Sequence, residues 1–181
     1  NSLEDKVFHD KIKKIYKGIP IEFLPFSLDY IEKLFSKELR KNLRLFYLEK
    51  PSLLIRIVRP NRPDYNPPHR DIYINRLRNA VNVFLPIKGV SNKSSLPIIT
   101  GSHLWEESKT VRTDLNPTID GIKFSVPAII SMSNGENINL KRPKVNNNEV
   151  MIFSPYCIHG GAKNLSNYSR ISLEFRFKLK N

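Results

Sequence analysis

The ten residues RISLEFRFKL, 170–179, alternate without a break. In an extended chain successive side chains point to opposite faces, so Arg170, Ser172, Glu174 and Arg176 share one face and Ile171, Leu173, Phe175 and Phe177 the other. A helix would scatter both sets around its circumference. The stretch therefore reads as a strand with one apolar face for a core and one polar face whose arginines need partners.

The same texture runs back through the chain to Ser52. Short apolar or alternating runs, LLIRIV (53–58), DIYI (71–74), AVNVFLPI (80–87), LPII (96–99), VPAIISM (126–132) and EVMIFS (149–154), are separated by Pro, Asn, Gly and Ser. Most of the 13 prolines fall between these runs, where no ladder donor is required. About eight strands are expected over residues 52–178, in a mainly β body of the jelly-roll, cupin-like type, the double-stranded β-helix. Residues 1–50 differ in period. Residues 3–17 and LDYIEKLFSKELRKNLRLFYL (28–48) read as amphipathic helices, the second placing Leu28, Ile31, Leu34, Phe35 and Leu39 at spacings of three and four. They are expected to cover one outer face of the β body.

With 181 residues, 40% hydrophobic and 26% charged, the chain suits one domain with a real core. No apolar run approaches the roughly 18–20 residues of a membrane helix, and the charged start does not read as a signal peptide. The lone Cys157 excludes an internal disulfide and a multi-cysteine zinc cluster, which suits a reducing cytoplasm; it reads as a buried small apolar residue. Lysine and arginine exceed aspartate and glutamate by 30 − 17 = +13. That excess suits an anionic small molecule or nucleic acid, although the lysines are scattered and do not form one tract.

The chemistry-bearing stretch is NPPHRDIYI, 66–74. On a strand His69 and Asp71 point to one face while Arg70 and Ile72 turn away, so the pair can share one ion. A third ligand must come from elsewhere, and the chain holds only four histidines: His9, His69, His103 and His159. His9 lies in the charged N-terminal helix and reads as solvated. His159 follows a run of β-formers and precedes a Gly pair in EVMIFSPYCIHGGAKN, 88 residues after Asp71. Two histidines and one carboxylate with open positions suit non-haem Fe(II). Arg170, 11 residues further on, offers a planar fork for a carboxylate, and Ser172 on its face adds a hydroxyl.

These pieces, in this order, resemble the Fe(II)/2-oxoglutarate-dependent oxygenases, and within them the phytanoyl-CoA dioxygenase-like branch. HRD resembles the HxD motif. NVFLPIKGVSNKSSLPIITGSHLW (82–105) resembles the strand, loop and Gly-Ser-His segment of that branch, and NNNEVMIFSPYCIHGGAKNLSNYSRISLEFRF (146–177) its distal histidine, following Asn and closing arginine. The resemblance covers roughly residues 52–178. It implies that His69, Asp71 and His159 bind Fe(II), that Arg170 with Ser172 pairs with the remote carboxylate of 2-oxoglutarate, and that O2 is the oxidant. Asn82 and Arg56 are further candidates for the cosubstrate, the alternative for each being an edge residue facing water. Thr100 stands where the branch usually has Pro, and Asn148–Glu149 where Gly-Asp is common. Asp71 is present where halogenating members have a small residue, so hydroxylation or a related C–H oxidation is implied.

For the substrate, Ser102, His103 and Trp105 are candidates for a rim; His103 reads equally as the cap of a turn and Trp105 as closing the core. The Tyr65 phenol could lie over the cavity or anchor the Pro-rich loop. A small polar metabolite such as a sugar, an amino acid derivative or a biosynthetic intermediate is the expected substrate class. Three other readings stay open: a nucleic-acid dealkylating oxygenase, since Arg170 and Arg176 are six apart; a cupin-type enzyme that uses metal without 2-oxoglutarate; and a non-catalytic jelly-roll binding module.

Overall fold

The alternation of residues 170–179 becomes the central strand of the protein. A computed structural model describes residues 2–15, 18–48, 50–62, 64–119, 121–146, 148–161 and 163–180. Its elements in chain order are α1 (Ser2–Ile15), β1 (Ile19–Pro20), α2 (Leu28–Leu39), β2 (Leu43–Phe46), β3 (Ser52–Val58), β4 (Ala80–Lys88), β5 (Thr110–Arg112), β6 (Thr118–Ile119), β7 (Ile122–Lys123), β8 (Ile129–Met132), β9 (Met151–Phe153) and β10 (Arg170–Leu179). One large sheet runs β1-β3-β10-β4-β9, with β2 also on β10; β5 pairs β8 and β6 pairs β7. Every pairing between these strands is antiparallel.

β10 holds the sheet together because both its edges are filled. β4 runs along one edge, from Ile171 opposite Lys88 to Lys178 opposite Ala80. The other edge is shared: β3 takes residues 170–174 and β2 takes 176–179. Facing this sheet is a layer of isolated bridges, His69 with His159 and Ile98 with both His159 and Lys141. The mainly β, antiparallel arrangement of a long sheet against a layer of short segments is consistent with a sandwich-like or cupin-like fold.

The apolar face of β10 forms the core. Leu173, Phe175 and Phe177 pack with Val83 of β4, Leu43 and Leu45 of β2, Leu53 of β3 and the buried face of α2, Ile31 and Phe35. Phe35 meets Phe175 edge-on, with centroids 5.8 Å apart, and lies 4.7 Å from Phe177. α2 thus covers the outer face of the sheet. α1 is tied to the end of β3 through Arg59, which donates to Asp5 (3.0 Å) and lies over the Phe8 ring. Residues 16 and 17 of the expected first helix lie outside the described residues, as does the side chain of His9.

Three expectations change. The helix expected over 28–48 begins on its cap, Ser27 accepting from the Tyr30 amide, but stops at Leu39, where Arg40 takes a left-handed conformation (φ 51°). LRLF then becomes β2 with Leu43 and Leu45 buried. Spacings of four and two at Leu39, Leu43 and Leu45 fit either period; the free edge of β10, which needs ladder partners, decides for the strand. The runs DIYI and LPII are likewise not strands, since Asp71–Tyr73 forms a 3-10 turn directly after the His69 bridge and residues 96–99 contribute only the isolated bridges of Ile98. No helix among the described residues is long and apolar enough to cross a membrane.

Phe177 is fully buried, so Phe177→Ala removes a core ring without touching the polar face. A loss of about 3–5 kcal/mol in unfolding free energy is expected by urea denaturation.

Candidate metal centre

His69 and His159 meet through their backbones. Each amide donates to the other's carbonyl, at 3.0 and 3.1 Å, and the rings stand 4.4 Å apart. Asp71 is placed by the turn that follows, with its own amide bonded to the Pro155 carbonyl (3.0 Å). The donor atoms of His69, Asp71 and His159 all lie within 4.8 Å of one another, and all three residues are buried. Nε2 of His69 is 3.4 Å and Nε2 of His159 4.0 Å from Asp71 Oδ1. Ligands about 2.1 Å from a shared ion sit about 3 Å apart when adjacent, so the three are close to a coordinating arrangement.

Local chain chemistry brings the two imidazoles together. His159 is followed by Gly160 and Gly161, both at positive φ (87° and 85°). A Cβ on Gly161 would fall 2.2 Å from the Pro68 ring, and one on Gly160 3.0 Å from the Pro67 carbonyl. Only glycine allows this approach, which presses the PPH segment against the HGG segment.

The remaining polar atoms of the triad are already used. His69 Nδ1 lies 2.7 Å from the Pro67 carbonyl and His159 Nδ1 3.0 Å from the Cys157 carbonyl. A carbonyl can only accept, so in each ring Nδ1 carries a proton and Nε2 is the nitrogen turned to the site. Asp71 Oδ2 accepts from Asn82 Nδ2 (2.9 Å) and from Arg176 Nε and Nη2 (3.1 and 2.8 Å), leaving Oδ1 toward the histidines. Burial would push the Asp71 carboxyl up; the contact with His69 and the charge of Arg176 outweigh it and hold the group well below the usual carboxylate range. Burial and the neighbouring His69 push His159 down to about 4, so its ring is neutral at ordinary pH.

A cavity of about 120 Å³ opens beside the triad, lined among others by Arg56, Tyr65, Leu96, Val126, Arg170 and Glu174. Arg170 is buried, donating to the Ser94 carbonyl (3.3 Å) with Glu174 3.8 Å away. Ser172 is fully buried, and its hydroxyl has no hydrogen-bond partner among the described residues. Arg56 donates to Glu174 (3.4 Å), and Asn82 is turned to Asp71. Three residues from the polar face of β10, Arg170, Glu174 and Arg176, thus line the cavity, whereas Ser172 on the same face and Asn82 on β4 do not.

Ser102, His103 and Trp105 are not among the residues lining this cavity. The Ser102 hydroxyl donates to the Ile99 carbonyl (2.6 Å) and accepts from the Ile158 amide (2.8 Å), fixing the chain just before His159. The carbonyls of Ser102 and Trp105 accept from Arg70, which turns away from the triad. His103 is exposed, with Nδ1 3.7 Å from the buried Cys157 thiol. Tyr65 does line the cavity. Arg176 and Glu174 were not assigned site roles from sequence; their shared face with Arg170 is the signal that points to them.

The triad is compatible with a metal site, and the fold has known counterparts. No protein-family model matches the chain, and no curated protein matches it in sequence. Among solved structures it is similar to AviO1 from Streptomyces viridochromogenes (14% identity, TM-score 0.52, covering 82% of this chain and 56% of that one). It is also similar to ThoJ, a non-heme monooxygenase solved in its apo form (12%, 0.53, 82% and 51%), and to EvdMO1 (17%, 0.50, 88% and 32%). The chain spans between about a third and just over half of the length of these proteins. At such identities the likeness is one of fold.

Asn82→Ala, which removes one of the donors on Oδ2, is expected to weaken Mn(II) or Zn(II) binding about 10–100-fold in a competition titration. The metal-free protein is expected to lose stability on acidification. His159 falls from 6.5 unfolded to about 4 folded, so between those values the unfolded chain binds the extra proton, and about 3 kcal/mol is lost as pH falls through that window. Urea denaturation at stepped pH measures it, and His159→Gln should flatten that part of the profile.

Proposed function

We propose that this chain is a mononuclear non-haem iron oxygenase on a double-stranded β-helix, with Fe(II) held by His69, Asp71 and His159, 2-oxoglutarate as cosubstrate and a small metabolite as substrate. The observation that carries the reading is the division of labour within the triad. Both Nδ1 atoms and Asp71 Oδ2 are committed to protein partners, while two Nε2 atoms and Oδ1 converge. The likeness in fold to a non-heme monooxygenase adds support.

When bound, iron and 2-oxoglutarate supply oxidation of an unactivated C–H bond by O2, which no side chain can provide. This chain's own residues do the rest. The Pro67 and Cys157 carbonyls fix the histidine tautomers; Asn82 and Arg176 aim the Asp71 carboxylate, and the charge of Arg176 helps keep it ionised. The Arg170 guanidinium and the unpartnered Ser172 hydroxyl fit the far carboxylate of the cosubstrate. Glu174 sits between Arg56 and Arg170; burial pushes its carboxyl up, and these two cations with Arg176 together outweigh that push and hold it down. An incoming carboxylate therefore shares Arg170 with a resident one. Leu96 and Val126 limit water in the cavity.

Release of labelled CO2 from 2-oxoglutarate carrying the label at C1, with Fe(II) and ascorbate, tests the proposal. Turnover is expected in the wild type, none after His69→Ala, and at least a tenfold higher KM for 2-oxoglutarate after Arg170→Ala. Turnover indifferent to Arg170→Ala would mean that 2-oxoglutarate is not held there. Metal binding without any decarboxylation would favour the cupin-type or non-catalytic reading.

A further inference from the structure

The cavity beside the triad is small for its task. Sites that enclose a metabolite commonly measure about 300–1,000 Å³, whereas this one is about 120 Å³ and its Arg170 end suits the cosubstrate. A second cavity, of about 420 Å³, adjoins it and shares Ile74, Glu174 and Arg176 as a common wall. Chain geometry ties its two rims to the metal centre. Phe46 pairs with Arg176 in the sheet, so the segment leaving β2 departs beside that wall. A second 3-10 turn, Asn75–Leu77, follows the one that begins at Asp71 and brings Arg76 and Leu77 to the opposite rim.

The lining has a definite chemical character. Phe46, Leu48, Leu54 and Leu77 give apolar surface, and Leu48 is 72% exposed at the lip. The charges of the shared wall are already balanced from the metal side, Arg176 by Asp71 and Glu174 by Arg56 and Arg170. Lys50 and Arg76 also line the cavity, and neither makes an ion pair with any described residue. The cavity therefore joins an apolar floor to two cations that have no ion-pair partner among the described residues.

We propose that this second cavity takes the substrate, and that the substrate is an amphipathic anion. Its apolar body lies against Phe46, Leu54 and Leu77, its carboxylate or phosphate head is met by Lys50 and Arg76, and its far end reaches the triad past Ile74. The inference rests on the reading of the triad as a metal centre. It narrows the expected substrate from a generally polar metabolite to one with an apolar portion and a negative head.

The test compares four probes of one shape by calorimetric titration of the whole protein: 1-naphthaleneacetate, 1-naphthyl phosphate, 1-naphthylmethylammonium and 1-naphthalenemethanol. At least one of the two anions should bind tenfold or more tighter than the ammonium and the alcohol, and which of the two wins identifies the head group. Combined Lys50→Glu and Arg76→Glu should remove that preference with the circular dichroism spectrum unchanged. Bound Mn(II) should broaden the naphthyl proton resonances in the wild type, whereas in His69→Ala the broadening should vanish and the anion should still bind. Equal affinity for anion and cation, indifference to the charge reversal, or anion binding without broadening in Mn(II)-loaded protein would each overturn the proposal. If Mn(II) fails to bind the wild type, the metal reading falls, and the affinity comparison still judges the cavity by itself.

Discussion

The site depends on how the Asp71 carboxylate is shared. One oxygen accepts three hydrogen bonds, from Asn82 on β4 and Arg176 on β10, and the other faces two imidazoles. A carboxylate this buried would be costly if unpaired. The arginine that answers the charge also bonds one turn to the central strand, so satisfying the charge and positioning the ligand are a single event.

That arrangement explains why neighbouring strands carry the polar residues they do. Asn82 and Arg176 are directly opposed in the β4–β10 ladder, and Arg56 and Ser172 in the β3–β10 ladder. Cross-strand register therefore sets polar groups side by side at two places, Asn82 with Arg176 at the carboxylate ligand and Arg56 with Ser172 further along, and of these Arg56 and Arg176 line the cavity. Both sets lie opposite the packing of Phe175 and Phe177 on α2. On the other layer, prolines and glycines do the equivalent work, since the tight approach of Pro67–Pro68 to Gly160–Gly161 sets the distance between the imidazoles.

Much of this was legible in the sequence where side-chain period and residue chemistry agree. The alternation of residues 170–179 specified the central strand, and it put Arg170 and Ser172 on one face with Glu174 and Arg176. His69, Asp71 and His159 were singled out by the H-x-D spacing, the scarcity of histidines and the order of the motifs, and the structure brings their donor atoms within 4.8 Å of one another. What was not legible depended on partners distant in the chain. Leu43 and Leu45 fit a helix or a strand until the edge of β10 is known. Asn82 reads as a cosubstrate contact until Asp71 is seen beneath it. Ser102 reads as a rim residue, yet its hydroxyl is spent on the Ile99 carbonyl and the Ile158 amide. A buried hydroxyl looks the same in sequence whether it serves a ligand or the backbone.

β10 is enclosed on both sides, by the aromatic core on one and by the cavity on the other. Adjacent positions on it answer to different demands, yet they share one backbone, and a shift of the strand that accommodates a new core residue also displaces the guanidiniums. Tinkering along this strand is therefore doubly constrained. Novelty in what the protein accepts would more easily arise in segments with a single obligation, such as the stretch leaving β2 and the turn around Arg76, which can drift in composition while the strand beneath them stays put.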